Sequence, residues 1–376
     1  MSEHISPTVA EINLTHLRHN AELIRKHVAP AKTLFVLKAN AYGHGMIRCA
    51  QELEKLGVDY FGVAVPSEGI QLREAGITTP ILVFGGLSEF QIDAYLDHDL
   101  TFTIPSVEKL QAVEIASASK GTKARVHLKI DTGMGRLGTH WERLDAFVQA
   151  ANQTEHVVYE GIYSHLADSV DNPEFTQKQY DRFIGACKQF EQSGISFDLR
   201  HIANTGAALR YPAMHLDMVR VGIMLYGIST LPGELILPGL LPVMSWKTKI
   251  VFFKVVQPGE PVGYGSTWTP SDQSERIVTL PVGYADGYGR RFGNITSVLI
   301  GGSKYPVVGR VCMDQCMVSL GPDGEAYNGD DVVLVGKQGA QEIRIETLAQ
   351  ELDTISYEIV SRIGERVPRV YIEEQD

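Results

Sequence analysis

Between residues 34 and 227 the sequence repeats one pattern eight times: a short apolar or β-branched run, then small residues, then an amphipathic stretch. Runs of this kind favour strands, and the stretches between them carry apolar residues at helical spacing. Eight strand–helix units in about 200 residues predict a closed (β/α)8 TIM-like barrel, with an open doubly wound sheet as the alternative. The predicted strands are 34–37, 60–65, 81–84, 100–104, 125–130, 159–164, 199–203 and 218–225.

The pattern changes after residue 230. A Pro/Gly-rich linker is predicted at 231–242, and strands then follow one another without long helices until a helical patch at 345–363. We therefore predict an α/β barrel domain over 1–235 and an all-β domain over 236–376. A helix is predicted at 14–28, and the run 8–14 before it is a candidate to pair with the second domain. The strands predicted in that domain are 248–256, 276–283, 296–302, 305–312 and 331–336.

Composition and charge argue against several classes of function. The net charge of -11 argues against a broad basic face for nucleic acid or for an anionic membrane. No run of 18 apolar residues occurs, and the N-terminus lacks the basic and apolar segments of a secretion signal. Four cysteines are too few for a disulfide framework, and no group of side chains has metal-site spacing. We expect a cytoplasmic protein without a structural metal.

The segment 36-VLKANAYGHG-45 ends an apolar run on Lys38. A lysine partly desolvated by apolar neighbours loses its proton more easily and becomes a nucleophilic amine. The alternative is a lysine that caps the strand and extends its amine to solvent. In a (β/α)8 barrel the chemistry lies at the carboxyl ends of the strands, and Lys38 follows the first of them.

Other candidate groups follow the remaining strands. Backbone N–H groups after the eighth strand, at Gly222 and Ile223, occupy the barrel position where phosphates commonly bind, and Thr205 adds a hydroxyl after the seventh. An amine beside a phosphate site implies an imine-forming ligand that carries a phosphate. Pyridoxal 5'-phosphate and the phosphorylated sugar of a class I aldolase both fit this description.

Nine motifs, in order, resemble those of the alanine racemase family, which are fold-type III pyridoxal phosphate enzymes. Nine matches at compatible spacing are far more specific than any one of them. The motifs are VLKANAYGHG (36–45), KIDTGMGRLG (129–138), GIYSHLA (161–167), HIANTGAAL (201–209), MVRVGIMLYG (218–227), VGYGSTW (262–268), PVGYADGY (281–288), GRVCMDQ (309–315) and TISYE (354–358).

The resemblance implies that L-alanine and D-alanine are interconverted through an external aldimine of pyridoxal phosphate, supplying D-alanine for peptidoglycan. Lys38 would hold the cofactor and act as one base, and Tyr264 from the other subunit of a head-to-tail homodimer as the second. A tyrosine phenol ordinarily has a pKa of about 10, so such a base needs nearby cations. Arg136 and a hydrogen-bonded His165–Arg220 pair are the candidates.

The resemblance also assigns binding roles. Arg136 and the backbone of Met313 would contact the substrate carboxylate, and Lys129 would carry an N6-carboxylate that orients Arg136. His44, His127 and His201 are interpreted as structural. The cofactor-binding residues would be Lys38, Tyr42, Arg136, His165, Asn204, Thr205, Arg220, Gly222, Ile223 and Tyr357, and the access channel would include Tyr284, Arg290, Arg310 and Asp314.

Arg220 helps to distinguish a racemase from other pyridoxal phosphate enzymes. Many pyridoxal phosphate enzymes place a carboxylate at the pyridine nitrogen, which keeps that nitrogen protonated. An arginine is not deprotonated in practice, so it favours an unprotonated nitrogen, and a carbanion is then less stabilised. This argues against a fold-type III decarboxylase, although Arg220 could instead pair with Asp217. A racemase of broader specificity, for serine or lysine, is the main alternative. A single-domain pyridoxal phosphate carrier is disfavoured by the long β-rich region.

Overall fold

The computed structural model describes residues 6–229 and 237–373. The described chain opens with strand β1 (Val9–Asn13) and helix α1 (Leu14–Val28), which matches the helix predicted at 14–28. Asn13 ends the strand and caps the helix, since its side chain accepts a hydrogen bond from the backbone N–H of His16 (3.0 Å). The cap therefore fixes the point at which the chain turns from strand to helix.

Eight parallel strands close into a barrel, as predicted, and the open sheet is wrong. Six of the eight neighbouring pairs are joined by regular strand pairing. At the other two junctions, a bridge between Leu82 and Thr101 links the third barrel strand to the chain just before the fourth, and Arg220 N on the eighth strand donates to Ala203 O (3.0 Å) just after the seventh. The barrel strands are β2 (Lys32–Val36), β3 (Tyr60–Val63), β4 (Ile81–Val83), β5 (Phe102–Ile104), β6 (Ala124–Asp131), β8 (Val157–Tyr163), β9 (Leu199–His201) and β10 (Met218–Val221).

Helices and short connections surround the barrel. A two-residue strand, β7 (Thr139–His140), pairs with the end of β6. The helices are α2 (Lys38–Tyr42), α3 (Met46–Lys55), α4 (Pro66–Glu74), α5 (Ile92–Asp97), α6 (Val107–Lys120), α7 (Asp145–Ala151), α8 (Pro173–Gln192) and α9 (Thr205–Arg210).

A sheet of ten strands forms the second part of the described chain, in the order β12-β13-β16-β15-β14-β17-β11-β1-β19, with β18 paired to β17. Strand β1 pairs antiparallel with β11 and parallel with β19, so the start of the chain lies in this sheet. Its other strands are β11 (Met244–Lys249), β12 (Phe252–Val256), β13 (Glu275–Leu280), β14 (Ser297–Ile300), β15 (Ser303–Val308), β16 (Cys316–Ser319), β17 (Asp331–Gln338), β18 (Gln341–Ile343) and β19 (Arg369–Ile372).

Some boundaries differ from prediction. The run 218–225 ends as a strand at Val221 and continues as a 3-10 turn, and the run 248–256 divides into β11 and β12. The helical patch at 345–363 contains α10 (Ile345–Glu351) and α11 (Ser356–Ser361). Linker residues 231–236 and the predicted domain boundary lie outside the described residues. In the described ranges no helix is long and apolar enough to cross a bilayer.

One hydrophobic core runs from the barrel into the sheet. Phe35 and Phe61 lie on barrel strands β2 and β3, and Ile12 on β1 and Trp246 on β11 lie on strands of the sheet; all four are fully buried and share one cluster. Burying side chains of this size stabilises the fold by about 1.5–3 kcal/mol each. The shared core holds the barrel's strand ends in a fixed position relative to α11, whose Tyr357 reaches the cavity described next.

Candidate active site

A cavity of about 730 Å³ lies at the carboxyl ends of the barrel strands. It brings together ten of the residues predicted from sequence, while Ile223 follows the lining residue Gly222 but does not itself line the cavity. The ten are Lys38, Tyr42, Lys129, Arg136, His165, Asn204, Thr205, Arg220, Gly222 and Tyr357. Their side chains come from loops and strands far apart in the sequence, and barrel closure is what collects them.

Lys38 lies two residues beyond β2 and begins an unusual turn. The next four residues, Ala39 to Tyr42, all have φ between 51° and 55°, so the chain makes one left-handed turn without glycine. Left-handed backbone costs L-residues about 1–2 kcal/mol each, so the surrounding contacts must stabilise it. Burial and the Arg136 cation lower the pKa of the Lys38 amine, and the Glu68 carboxylate opposes that shift. The amine is therefore more easily deprotonated than an ordinary lysine.

Glu68, which the sequence reasoning missed, holds this turn. Its Oε1 accepts a hydrogen bond from the Ala39 N–H (2.6 Å), and its Oε2 accepts from the N–H groups of Ala64 (2.8 Å) and Val65 (3.3 Å). One carboxylate thus ties the residue after Lys38 to the end of the neighbouring barrel strand. An acidic residue in the first turn of a helix is common, and only the fold shows that its partner is the lysine turn.

Hydroxyl groups surround the end of the cavity near Gly222. A Cβ at this position would lie 2.6 Å from Tyr42 Oη, so the absence of a side chain admits the phenol. The Gly222 N–H donates to Thr205 Oγ1 (3.3 Å), and the Tyr357 ring lies 5.8 Å from that of Tyr42. Asn204 caps α9 by accepting from Ala207 N (3.1 Å). Hydroxyl groups around the backbone of Gly222, which has no side chain, can hold a phosphate group through hydrogen bonds.

Arg220 projects from β10 and is held by five acceptors. Nη1 donates to His201 Nδ1 (2.9 Å) and to the His201 carbonyl (3.0 Å). Nη2 donates to the carbonyls of Ser164 (2.8 Å) and Ile202 (3.1 Å) and to His165 Nδ1 (3.2 Å). The predicted His165–Arg220 pair is therefore observed. The alternative partner Asp217 is wrong, because its carboxylate binds Arg200 instead (2.8 Å).

The site is rich in cations and has few neutralising groups. Burial, Arg220 and Lys129 depress the pKa of His165 well below its ordinary value, so this ring is neutral. Burial is also the main reason that the pKa of Lys129 falls to about 7, with Arg220 adding to the shift. The Lys129 Nζ lies 5.0 Å from the Tyr163 ring, and Arg220 lies 5.3 Å from the same ring. Tyr163 lines the cavity and is another residue, after Glu68, that the sequence reasoning missed.

The remaining predicted residues lie outside this cavity. Tyr264 is 70% exposed and Met313 is 53% exposed. Tyr284 and Arg290 line a separate cavity of about 550 Å³. Arg310 lies beside the Tyr264 turn, with its guanidinium 3.1 Å from where a Cβ on Gly265 would be, and Asp314 pairs with Arg366 (2.8 Å). The described chain thus presents the barrel half of the predicted site and, elsewhere on its surface, the residues assigned to the second half.

The chemistry of these groups fits a phosphorylated aldehyde. Lys38 supplies an amine of lowered pKa, Tyr42, Thr205 and Tyr357 supply hydroxyls for a phosphate, and Arg220 supplies a fixed cation. A class I aldolase would need the same amine. The comparison with known proteins separates these two possibilities.

Family models match almost the whole chain: "Alanine racemase, N-terminal domain" over residues 12–230 and "Alanine racemase, C-terminal domain" over 243–371. Alanine racemase 1 of Oceanobacillus iheyensis is 39% identical over 369 residues, covering 96% of this chain and 97% of its own. The alanine racemase of Symbiobacterium thermophilum is 41% identical over 367 residues, covering 97% of both.

Solved structures agree with these matches. The alanine racemase of Clostridium difficile 630 superposes with a TM-score of 0.92 at 38% identity, over 99% of this chain and 97% of its own. The Bacillus anthracis enzyme, solved with bound L-Ala-P, superposes with a TM-score of 0.91 at 32% identity, over 99% and 96%. Matches of this extent, together with the amine, hydroxyl and arginine groups of the cavity, identify the chain as a member of the alanine racemase family of pyridoxal phosphate-dependent isomerases.

Proposed function

We propose that the protein interconverts L-alanine and D-alanine in a homodimer, using Lys38 of one subunit and Tyr264 of the partner subunit as opposed bases. The observation that carries the proposal is the position of Lys38: its amine, with a lowered pKa, lies in the same cavity as the hydroxyls of Tyr42, Thr205 and Tyr357 and the fixed cation of Arg220. Those groups would hold pyridoxal phosphate by its aldehyde, its phosphate and its ring.

When bound, pyridoxal phosphate supplies a conjugated ring that accepts electrons as the α-proton of alanine leaves. Racemisation then needs a base on each face of Cα, because the proton removed from one face is replaced from the other. Lys38, freed when substrate takes its place, holds or releases the proton on one face. A second group must serve the opposite face. The other amine that lines the cavity, Lys129, lies 5.0 Å from the Tyr163 ring and is assigned a different role below.

Tyr264 is the proposed second base. Its phenol is largely exposed in its own protomer and does not line that protomer's cavity. A head-to-tail dimer, in which the sheet of one subunit covers the barrel mouth of the other, would bring it there and would exclude water. Arg136 and the backbone of Met313 from the partner subunit would bind the substrate carboxylate. Tyr284, Arg290, Arg310 and Asp314 would then line the route by which alanine reaches the site.

Lys129 is a proposed site of N6-carboxylation. With a pKa of about 7, a large fraction of its amine is neutral near pH 7 and can attack CO₂. The Lys129 nitrogen forms a bond to the carbon of CO₂, and the electrons of one C=O π bond move onto its oxygen, which becomes part of the carboxylate. The proton lost from the nitrogen goes to water. The new anion would balance Arg136 and Arg220, whose charges both act to lower the pKa of the Lys129 amine. With ¹³C-labelled CO₂, a carbamate signal should appear as the pH rises above about 7 and should be absent in Lys129→Ala.

We place the activity in the cytoplasm, with D-alanine for peptidoglycan as its product. All four cysteines are unpaired, which suits a reducing compartment. Purified protein supplied with pyridoxal phosphate and L-alanine should form D-alanine, read by D-amino-acid oxidase, and Lys38→Ala should form none. Equal rates with L-serine or L-lysine would indicate broad specificity instead. Carbon dioxide release without D-alanine would indicate a decarboxylase and overturn the proposal.

A further inference from the structure

A line of buried polar side chains leads from Arg220 through the barrel to Glu160. Arg220 Nη1 contacts His201 Nδ1 (2.9 Å), His201 Nε2 contacts His127 Nδ1 (2.8 Å), and His127 Nε2 faces Glu160 Oε2 across 3.5 Å. Both imidazoles are fully buried and Arg220 is nearly so. Buried polar groups carry a desolvation cost, so a line of them in contact requires a reason beyond packing.

The proton positions in this line follow from its first member. A guanidinium has donors and no acceptor, so His201 Nδ1 must present a lone pair to Arg220. The proton of neutral His201 is then on Nε2 and is donated to His127 Nδ1. That contact in turn places the His127 proton on Nε2, which faces the Glu160 carboxylate across 3.5 Å without a regular hydrogen bond. Every donor in the line therefore points away from Arg220, and every acceptor points towards it.

The surroundings favour the neutral form of both rings. Burial and Arg220 lower the pKa of His201 far below its ordinary value, and burial lowers that of His127 while Glu160 opposes the shift. The His201 ring stacks on Tyr163 at 4.8 Å, parallel to within 2°. Lys129 acts on His201 from β6, and Glu160 also accepts from Tyr60 Oη (2.7 Å) and faces Arg125. Glu160 is thus the anion at the outer end of the line.

We propose that Glu160, acting through His127 and His201, is a positioning residue for Arg220. The negative charge of Glu160 stabilises the proton on His127 Nε2. This makes Nδ1 of His127, and through it Nδ1 of His201, a stronger hydrogen-bond acceptor, because hydrogen bonds in a line polarise one another. The last acceptor, His201 Nδ1, then fixes the guanidinium in the cofactor cavity. His127 and His201, interpreted as structural from sequence, become parts of the site. The consequence for turnover rests on the proposed racemase function, whereas the proton order does not.

The first test is ¹⁵N NMR of the holoenzyme labelled at histidine. We expect His201 and His127 to be neutral with the proton on Nε2, and Glu160→Gln to shift the His201 and His127 resonances. A proton on Nδ1 of His201 would overturn the proposal, as would His201 resonances unchanged by Glu160→Gln. This measurement needs no turnover, so it gives the same answer if the protein proves not to racemise alanine.

The second test uses kinetics with a matched control. Glu160→Gln should lower kcat about tenfold with little change in KM, the size of a coupling between groups in one network. The control is Glu114→Gln, which removes the carboxylate from a second His–Glu contact, with His156 (2.8 Å), outside the line. We expect Glu114→Gln to leave kcat and the His201 resonance unchanged. Equal effects of the two variants would contradict the proposal.

A double-mutant cycle tests whether Glu160 acts on His201 through His127. Asparagine at residue 127 keeps an acceptor for His201 but is too short to reach Glu160. In the His127→Asn background, Glu160→Gln should therefore cause no further loss of kcat and no further shift of the His201 resonance. Additive losses would mean that Glu160 acts by another path and would overturn the proposal. Retention of the cofactor's visible absorbance in each variant shows that the fold and the site are intact.

Discussion

Glu68→Gln would show how the left-handed turn after Lys38 is stabilised. Four left-handed residues at about 1–2 kcal/mol each amount to about 4–8 kcal/mol of unfavourable backbone conformation. Glu68 offsets part of this cost through its hydrogen bond to Ala39 and its two bonds at the end of β3. Glutamine keeps one oxygen acceptor but turns an NH₂ group towards one of the backbone N–H groups. One charge-assisted bond is lost, worth about 1.5–3 kcal/mol.

Two results should follow from Glu68→Gln. The free energy of unfolding of the apoprotein should fall by about 2 kcal/mol, measured by urea titration. The pKa of Lys38 should fall further, because the carboxylate that raises it is gone. The amine attacks the aldehyde only when neutral, so a lower pKa makes it reactive at lower pH. The rate at which the apoprotein captures pyridoxal phosphate, followed by visible absorbance, should reach its midpoint at lower pH than in the unsubstituted protein.

Glu54→Gln is the matched control. Glu54 Oε1 accepts from the N–H groups of Thr78 and Thr79 (both 2.8 Å), a similar clamp away from Lys38. Because Oε1 alone accepts these bonds, glutamine keeps the acceptor and removes only the charge; stability should fall by less than in Glu68→Gln, and the midpoint of capture should stay where it was. A midpoint in Glu68→Gln that is unchanged, or that moves to higher pH, would refute the reasoning about the Lys38 turn.

Two further substitutions test single contacts. Gly222→Ala places a methyl group 2.6 Å from Tyr42 Oη, so the phenol must move. Overpacking of about 1–3 kcal/mol should weaken the binding of pyridoxal phosphate about tenfold or more in a titration of the apoprotein. Unchanged affinity would mean that Tyr42 Oη does not contact the cofactor. Asp217→Asn breaks the half-exposed bridge to Arg200 and should cost less than about 1 kcal/mol of stability without altering kcat, whereas a large fall in kcat would restore Asp217 as a partner of Arg220.

The barrel was predictable because its signal is repeated. Each barrel strand is a short buried run between amphipathic helices, so an error of one or two residues at any end leaves the count of eight unchanged. The sheet was harder. The run 248–256 is mostly apolar and contains no glycine or proline, and it divides only because β11 pairs with β17 and β12 pairs with β13. Strand β16 is four residues long and gave no separate signal.

The site was predictable where a residue type carries its own chemistry. Lys38 and Arg220 stand out because a buried lysine or arginine is costly, and the motifs supplied their roles. Glu68 and Glu160 do not stand out: one begins a helix and the other lies within a strand, and their partners are distant in sequence. His127 and His201 are 74 residues apart, so only the closed barrel shows that their rings touch.

The central claim is that each site combines Lys38 of one subunit with Tyr264 of the other, and mixed dimers test it directly. Lys38→Ala and Tyr264→Phe should each be inactive alone. Unfolded together, refolded and paired at random, they should recover about a quarter of the original activity, because half the dimers are mixed and each of these has one intact site. If both bases came from the same subunit, no dimer would contain an intact site, and a mixture as inactive as its two parents would contradict the account.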